Sequence, residues 1–408
     1  MALAAVAIGL RLQKRPLSAG DTSNGASATT VRGASVPGDL SIGSRATVRE
    51  DAAVREGAAR MIHGDARHTH RAHGHGPRAL KVAWTVAVGG SVEAQVTASP
   101  DEQTLYVASF DGTLTALSRG NGSTRWKVTL GDRIYSTPCV GDDGMVYVGS
   151  DAKLFYAITA DGRIAWKLET DGDADTGAAI GKDKRVYFAA GNVVTAVRPG
   201  GDVAWRFQAR AKVFTAPALT DDGNVIVGAQ DHKVYALTPS GALAWNVDLG
   251  ADVDGAPAIG DDGAIFVGTD LGEVVRLGPS GAIAWRANVG GFVRGALSVA
   301  RDGDVLAGVY GPTPRQVRLD AANGAIRSAH VVQGTGAREF GVHGGALEDD
   351  DGTTYFGAQD DFAYAVEQTG ALRWKLQTGA DVDAPLTMLS DGSLVVASDD
   401  GKVYLLAP

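Results

Sequence analysis

The chain has 408 residues, 44% of them hydrophobic, with 55 glycines, one cysteine and a net charge of −9. The charge is divided, residues 1–78 carrying a net +5 and residues 79–408 a net −14. An acidic body excludes nucleic acid as a partner, because phosphates need a basic footprint; a lone cysteine excludes an intramolecular disulfide, and glycine without a strict three-residue period excludes a collagen.

The first ten residues are apolar and are followed by Arg11, Lys14 and Arg15. Ten residues are too few to span a bilayer, and a secretory signal carries its charges before the apolar run. Two readings stand: the tail of a longer signal or anchor, which would tether the protein to a membrane, or an apolar terminus without a role. Residues 16–44, rich in Ser, Gly, Ala and Thr, read as a tether. Residues 45–60, rich in Ala and Arg, read as a short surface helix. Five histidines, His63, His68, His70, His73 and His75, then fall within 13 residues. Imidazoles so spaced suit Zn²⁺, Ni²⁺ or Cu²⁺, but interspersed arginines and the lack of a nearby cysteine favour no metal. We expect a flexible N-terminal extension over 1–78 and one folded domain over 79–408.

From Leu80 onward the chain repeats. Trp84, Trp126, Trp166, Trp205, Trp245 and Trp285 recur at intervals of 39 to 42 residues, Ser328 holds the next place, and Trp374 the last. Each unit holds four short alternating segments separated by Asp-Gly or Pro-x-Gly turns, the pattern of successive hairpins. Within 245–284, WNVDL, VDGAPAIG, AIFVGT and EVVRL are the four segments. Four strands in about 40 residues make a propeller blade. The expected fold is all-β, an eight-bladed β-propeller of four-stranded antiparallel blades, closed by an N-terminal strand around Trp84. The seven tryptophans are expected between blades, each worth about 2–3 kcal/mol when buried. Cys139 falls in a strand as a small buried hydrophobe.

The units resemble the pyrroloquinoline-quinone (PQQ) repeat. Thr137-Pro138, Asp143-Gly144 followed by Met-Val-Tyr-Val-Gly-Ser150, Leu154 to Ile158, Asp161-Gly162 and Trp166 carry the likeness. It recurs in Ala216-Pro217, Val234 to Leu237 and Trp245, and in Asp400-Gly401 to Leu406. The stretch from Gly64-Asp65 to Thr69 also resembles the structural segment that precedes the first blade in such proteins. The resemblance implies the propeller over about 80–408 and leaves two functions. One is a non-catalytic scaffold, similar in blade number and size to the propeller lipoprotein of the outer-membrane β-barrel assembly machine; that protein's lipid-bearing N-terminal cysteine has no counterpart here. The other is a PQQ- and Ca²⁺-dependent quinoprotein dehydrogenase. Many of those carry adjacent cysteines against the quinone, which this chain lacks.

Aligning units on the tryptophan places positions +7 and +9 at the channel mouth. Three units then carry Asp-x-Asp, in Asp173/Asp175, Asp252/Asp254 and Asp381/Asp383, with Arg133, Lys212 and Arg294 between them and His343 in the place of Asp254. Residues i and i+2 of a strand share a face, so each pair is expected to point toward the axis as a site for a cation or a basic peptide. Ser91, Glu93, Tyr135, Phe214 and Phe292 complete the two positions. The Asp-rich turns such as Asp261-Asp262-Gly263 lack the twelve-residue calcium loop and read as turn chemistry. Glycine-flanked serine elbows, HExxH and phosphate loops are missing. The chain is therefore expected to be a monomeric protein- or peptide-binding scaffold of the cell envelope or periplasm, without a cofactor. The alternative is the dehydrogenase with PQQ and Ca²⁺.

Overall fold

The computed structural model describes residues 59–408. The apolar start, the tether and residues 45–58 of the expected surface helix lie outside the described residues. Eight four-stranded antiparallel sheets follow one another along the chain. Blade one comprises Thr97–Ala98, Thr104–Ser109, Thr113–Ser118 and Thr124–Thr129, and the others repeat it. The eighth blade is composite: Val82–Ala87 pairs antiparallel with Lys402–Leu406, with Thr85 opposite Tyr404.

Alternation builds each blade. The second and third strands are buried on both faces, while the fourth exposes every other residue to solvent. The apolar side chains sort into eight clusters, one for each pair of neighbouring blades. Phe266, Val274, Leu297 and Val317 fill the space between blades five and six. Val92, Leu105 and Leu117 meet Val395, Val403 and Leu405 between blades one and eight. The core is thus a ring of layers around the axis, closed on itself.

The tryptophans sit in the fourth strand, mostly half-buried. Trp374 Nε1 donates to Pro77 O of the segment before the first strand, and each of the other six indole N–H groups donates to a turn carbonyl of the following blade, as in Trp84 Nε1 to Arg119 O at 2.8 Å and Trp245 Nε1 to Pro279 O at 3.0 Å. The ring covers a glycine of that turn: a Cβ on Gly281, whose φ is +83°, would lie 2.7 Å from the Trp245 ring. The residue paired with the tryptophan is usually alanine, as in Ala116 opposite Trp126. That small side chain lets the indole lean to Tyr106 on the next strand, 5.8 Å between centroids.

Blade six, where Ser328 replaces the indole, is held differently. Ser328 Oγ donates to Gln368 O at 2.8 Å. Its cross-strand partner is Arg318, 4% exposed, which binds Asp302 at 2.7 Å, Asp304 at 3.0 Å and Glu348 of blade seven at 2.8 Å. A buried ion cluster thus replaces an aromatic ring as the tie between blades six and seven.

Two expectations are corrected. The first strand of each blade was read as a segment such as 253–260, but only Ala258–Ile259 joins the ladder. Near the axis the neighbouring backbones come too close for a full strand: a Cβ on Gly255 would lie 2.3 Å from Gly295 O. Residues 59–78, assigned to the flexible extension, are packed against the propeller. Their carbonyls accept the N–H groups of Ala98, Val140, Leu219, Ile259, Val299 and Glu348 in chain order, from Ala59, Arg60, Ala66, Arg67, Thr69 and His70. The segment is a belt across the ends of the innermost strands, on the face opposite the channel mouth. Unmet inner-strand donors need partners, and the belt supplies them.

Candidate functional site: the acidic channel mouth

Each inner strand starts at the mouth, and its position is fixed by a recurrent backbone bond. The residue that follows the second strand donates its N–H to the carbonyl at position +7: Asp151 to Arg133 at 2.9 Å, Asp270 to Asp252 at 3.1 Å and Asp399 to Asp381 at 2.9 Å. This bond lays a third position beside +7 and +9, the one sequence reading missed. The signal of Asp151, Asp270 and Asp399 is an Asp directly after the Gly-Ser, Gly-Thr or Ala-Ser at the end of the second strand.

The three Asp-x-Asp pairs lie in three separate clusters, each joined by a carboxylate of this third position, from the same blade for Asp270 and Asp399 and from the preceding blade for Asp151. Asp173 and Asp175 meet Asp151. Asp175 also binds Lys212 at 2.9 Å, and Lys212 lies 4.0 Å over the Phe214 ring. Burial, then the hydrogen bond and charge of Asp175, push the Asp151 carboxyl up to about 7.

Asp252, Asp254 and Asp270 converge, one oxygen of each within 4.8 Å of the others. His232 faces Asp252 at 3.3 Å, and Arg294 grips Asp270 at 2.8 Å and also reaches Glu339. Burial, then the Asp270 charge, raise Asp254 to about 6. Arg294 and Arg338 stack over Phe292 at 4.6 and 4.4 Å, so the Val332–Gly341 connection lies against this part of the mouth.

Asp381 and Asp383 meet Asp399 and Glu93, and here Glu93, Asp383 and Asp399 converge within 4.8 Å. Burial, then Asp383, push Glu93 up to about 8 and Asp399 to about 7. His343 is not among the carboxylates; its ring meets Tyr310 edge-on at 5.9 Å. Arg133 is exposed at the rim.

On the opposite face, His63, His68 and His70 are fully buried in the belt. His63 Nδ1 lies 3.3 Å from His70 Nδ1, His68 Nδ1 bonds Pro257 O at 2.9 Å and His70 Nε2 bonds Leu386 O at 3.1 Å. Burial lowers the pKa of all three, so they are neutral imidazoles. Most of their ring nitrogens are spent on the protein, and among the described residues the convergent donor groups are carboxylates rather than these histidines. Cys139 is buried in blade two, its thiol pushed up to about 12 by burial.

The fold and the repeated turns define an eight-bladed propeller of PQQ-like repeats with an acidic mouth. The chain belongs to the family described as outer membrane protein assembly factor BamB, whose model matches residues 75–179, 160–239 and 230–327. Among solved structures it is similar to BamB from Moraxella catarrhalis, 17% identical with a TM-score of 0.68 over 81% of this chain and 100% of that one. It is also similar to a europium-containing methanol dehydrogenase, 10% identical with a TM-score of 0.74 over 86% of this chain and 98% of that one. Both likenesses are of fold. A curated relative, the serine/threonine-protein kinase AfsK of Streptomyces griseus, is 31% identical over 137 residues, which cover 31% of this chain and 17% of the kinase.

Proposed function

We propose that the protein is a non-catalytic scaffold of the cell envelope that holds a protein partner at its channel mouth. Family membership supports an assembly role, since the family's description is of an outer membrane protein assembly factor. The observation that carries the reading to a surface is the mouth itself. Three carboxylate clusters lie there beside Phe214, which is exposed, and Tyr135, which is half-buried, and aromatic side chains are the enriched anchors of protein interfaces. The occupant is a segment bearing Lys or Arg, whose ammonium or guanidinium groups would meet these carboxylates.

Calorimetry with a Lys/Arg-rich peptide tests this. Binding is expected at low salt and to weaken as salt rises. Replacing Asp173, Asp175, Asp252 and Asp254 together by Asn should abolish it with the fold retained. Equal binding by that variant would move the partner surface to the rims.

The second reading, a quinoprotein dehydrogenase, is favoured by the likeness to methanol dehydrogenase alone. The residues present do not fit its cofactor. PQQ is a tricarboxylate and needs a cationic cradle, whereas the mouth is lined by carboxylates and its Lys212 and Arg294 are already paired with Asp175 and Asp270. Native mass with and without added PQQ and Ca²⁺ distinguishes the two readings: a quinone adduct would select the dehydrogenase.

A further inference from the structure

The protein treats the mouth carboxylates unequally. Asp175 has Lys212, Asp252 has His232 and Asp270 has Arg294, all within 3.3 Å. Glu93, Asp383 and Asp399 converge from blades one and eight with no Lys, Arg or His nitrogen within 4.0 Å of them among the described residues. Arg133 acts on Glu93 only from a distance.

A further feature points into this cluster. Asp383 is only 7% exposed; its Oδ2 accepts from Gln359 Nε2 at 3.2 Å, but its Oδ1 is buried without a partner, as is Oδ1 of Asp399. Burial, then the charge of Asp383, raise the pKa of Tyr310, which is 5% exposed, against the opposing charge of Arg294. A buried carboxylate oxygen left without a partner is costly. Two such oxygens held beside Glu93 are relieved by protonation or by a cation, and no side-chain nitrogen within 4.0 Å among the described residues supplies the positive charge.

We propose that Glu93, Asp383 and Asp399 bind one hard divalent cation of the Ca²⁺ class. Ca²⁺ takes oxygen ligands at about 2.3–2.6 Å, so two oxygens of its shell lie up to about 5 Å apart. The three carboxylates fall within that span. An all-oxygen donor set with neither imidazole nor thiolate disfavours Zn²⁺ or Cu²⁺. Water completes the shell on the open side of the mouth. The site bridges the first and the composite eighth blade, so the ion also ties the ring where the chain ends meet. The proposal does not depend on a partner docking at the mouth.

The test is calorimetric titration of the EDTA-stripped full chain with CaCl₂ alone, paired with thermal melting. One ion per chain should bind, and Ca²⁺ should raise the melting temperature. Glu93→Gln and Asp399→Asn, each folded by circular dichroism, should each weaken binding roughly tenfold or more. Asp270→Asn, in the cluster that Arg294 neutralises, should bind Ca²⁺ as the parent does. The proposal is overturned if the parent chain binds no Ca²⁺, or if Asp270→Asn loses binding while Glu93→Gln and Asp399→Asn keep it. Because CaCl₂ is the only probe, these outcomes are separate from the peptide result above.

Discussion

Arg318 shows how one residue substitutes for a repeated one. Its guanidinium neutralises Asp304 and Glu348, whose side chains are 4% and 2% exposed. Removing one partner of a buried pair leaves an uncompensated charge, so Arg318→Ala should cost about 3–5 kcal/mol. Chemical denaturation checks this; a loss under about 1 kcal/mol would show that the cluster does not hold blades six and seven. Asp151 offers a second test. The groups around it are Asp132, Asp173 and Asp175, with Lys212 on Asp175. Its folded pKa of about 7 lies above the unfolded value of about 3.9. Between these values the native state holds the extra proton, so stability falls as pH rises through that window. Melting temperatures from pH 5 to 8 should decline in the parent chain, and more gently in Asp151→Asn. Identical slopes would mean that Asp151 is not the group that titrates. The sequence displayed the missing tryptophan at Ser328 but not its replacement, because Arg318 binds partners 14 and 30 residues away that no local period links.

At the scale of elements, strands and turns were legible because their cause is local. Alternation and Asp-Gly turns set each hairpin, and the tryptophan period set the blade. The belt over 59–78 was not legible, since it has no period: it is extended chain whose order comes from the inner-strand N–H groups of successive blades. Its histidines look like metal ligands in sequence; in the fold His63, His68 and His70 are buried, with His68 and His70 bonded to backbone carbonyls, while His73 and His75 are exposed. His63, His68 and His70 also hold φ between +53° and +58°, a conformation sustained only by surrounding contacts. A chain beginning at residue 77 keeps all strands but loses the belt. It should melt well below the chain beginning at residue 59, and exchange the amides of Leu219, Ile259 and Val299 faster. Equal melting and equal protection would show that the belt is an ornament of a self-sufficient ring.

At the scale of the whole molecule, the eight inter-blade layers make a rigid ring, and rigid rings present surfaces rather than move. The mouth residues were legible as positions, because +7 and +9 are set by the repeat. Their grouping was not: one ring of carboxylates was expected, and the fold makes three clusters by adding Asp151, Asp270 and Asp399 from across a turn. His343 fell in the expected register but beside Tyr310 instead of a carboxylate. The account's central claim is that this mouth holds a protein partner. It is tested most directly by placing a photo-crosslinking residue at Phe214, exposed in the mouth, and in parallel at Leu243, exposed on the outer strand of blade four, in cells that express the chain. The account predicts a discrete protein adduct from position 214 and none from position 243. An adduct from 243 alone, or none from either, would contradict it.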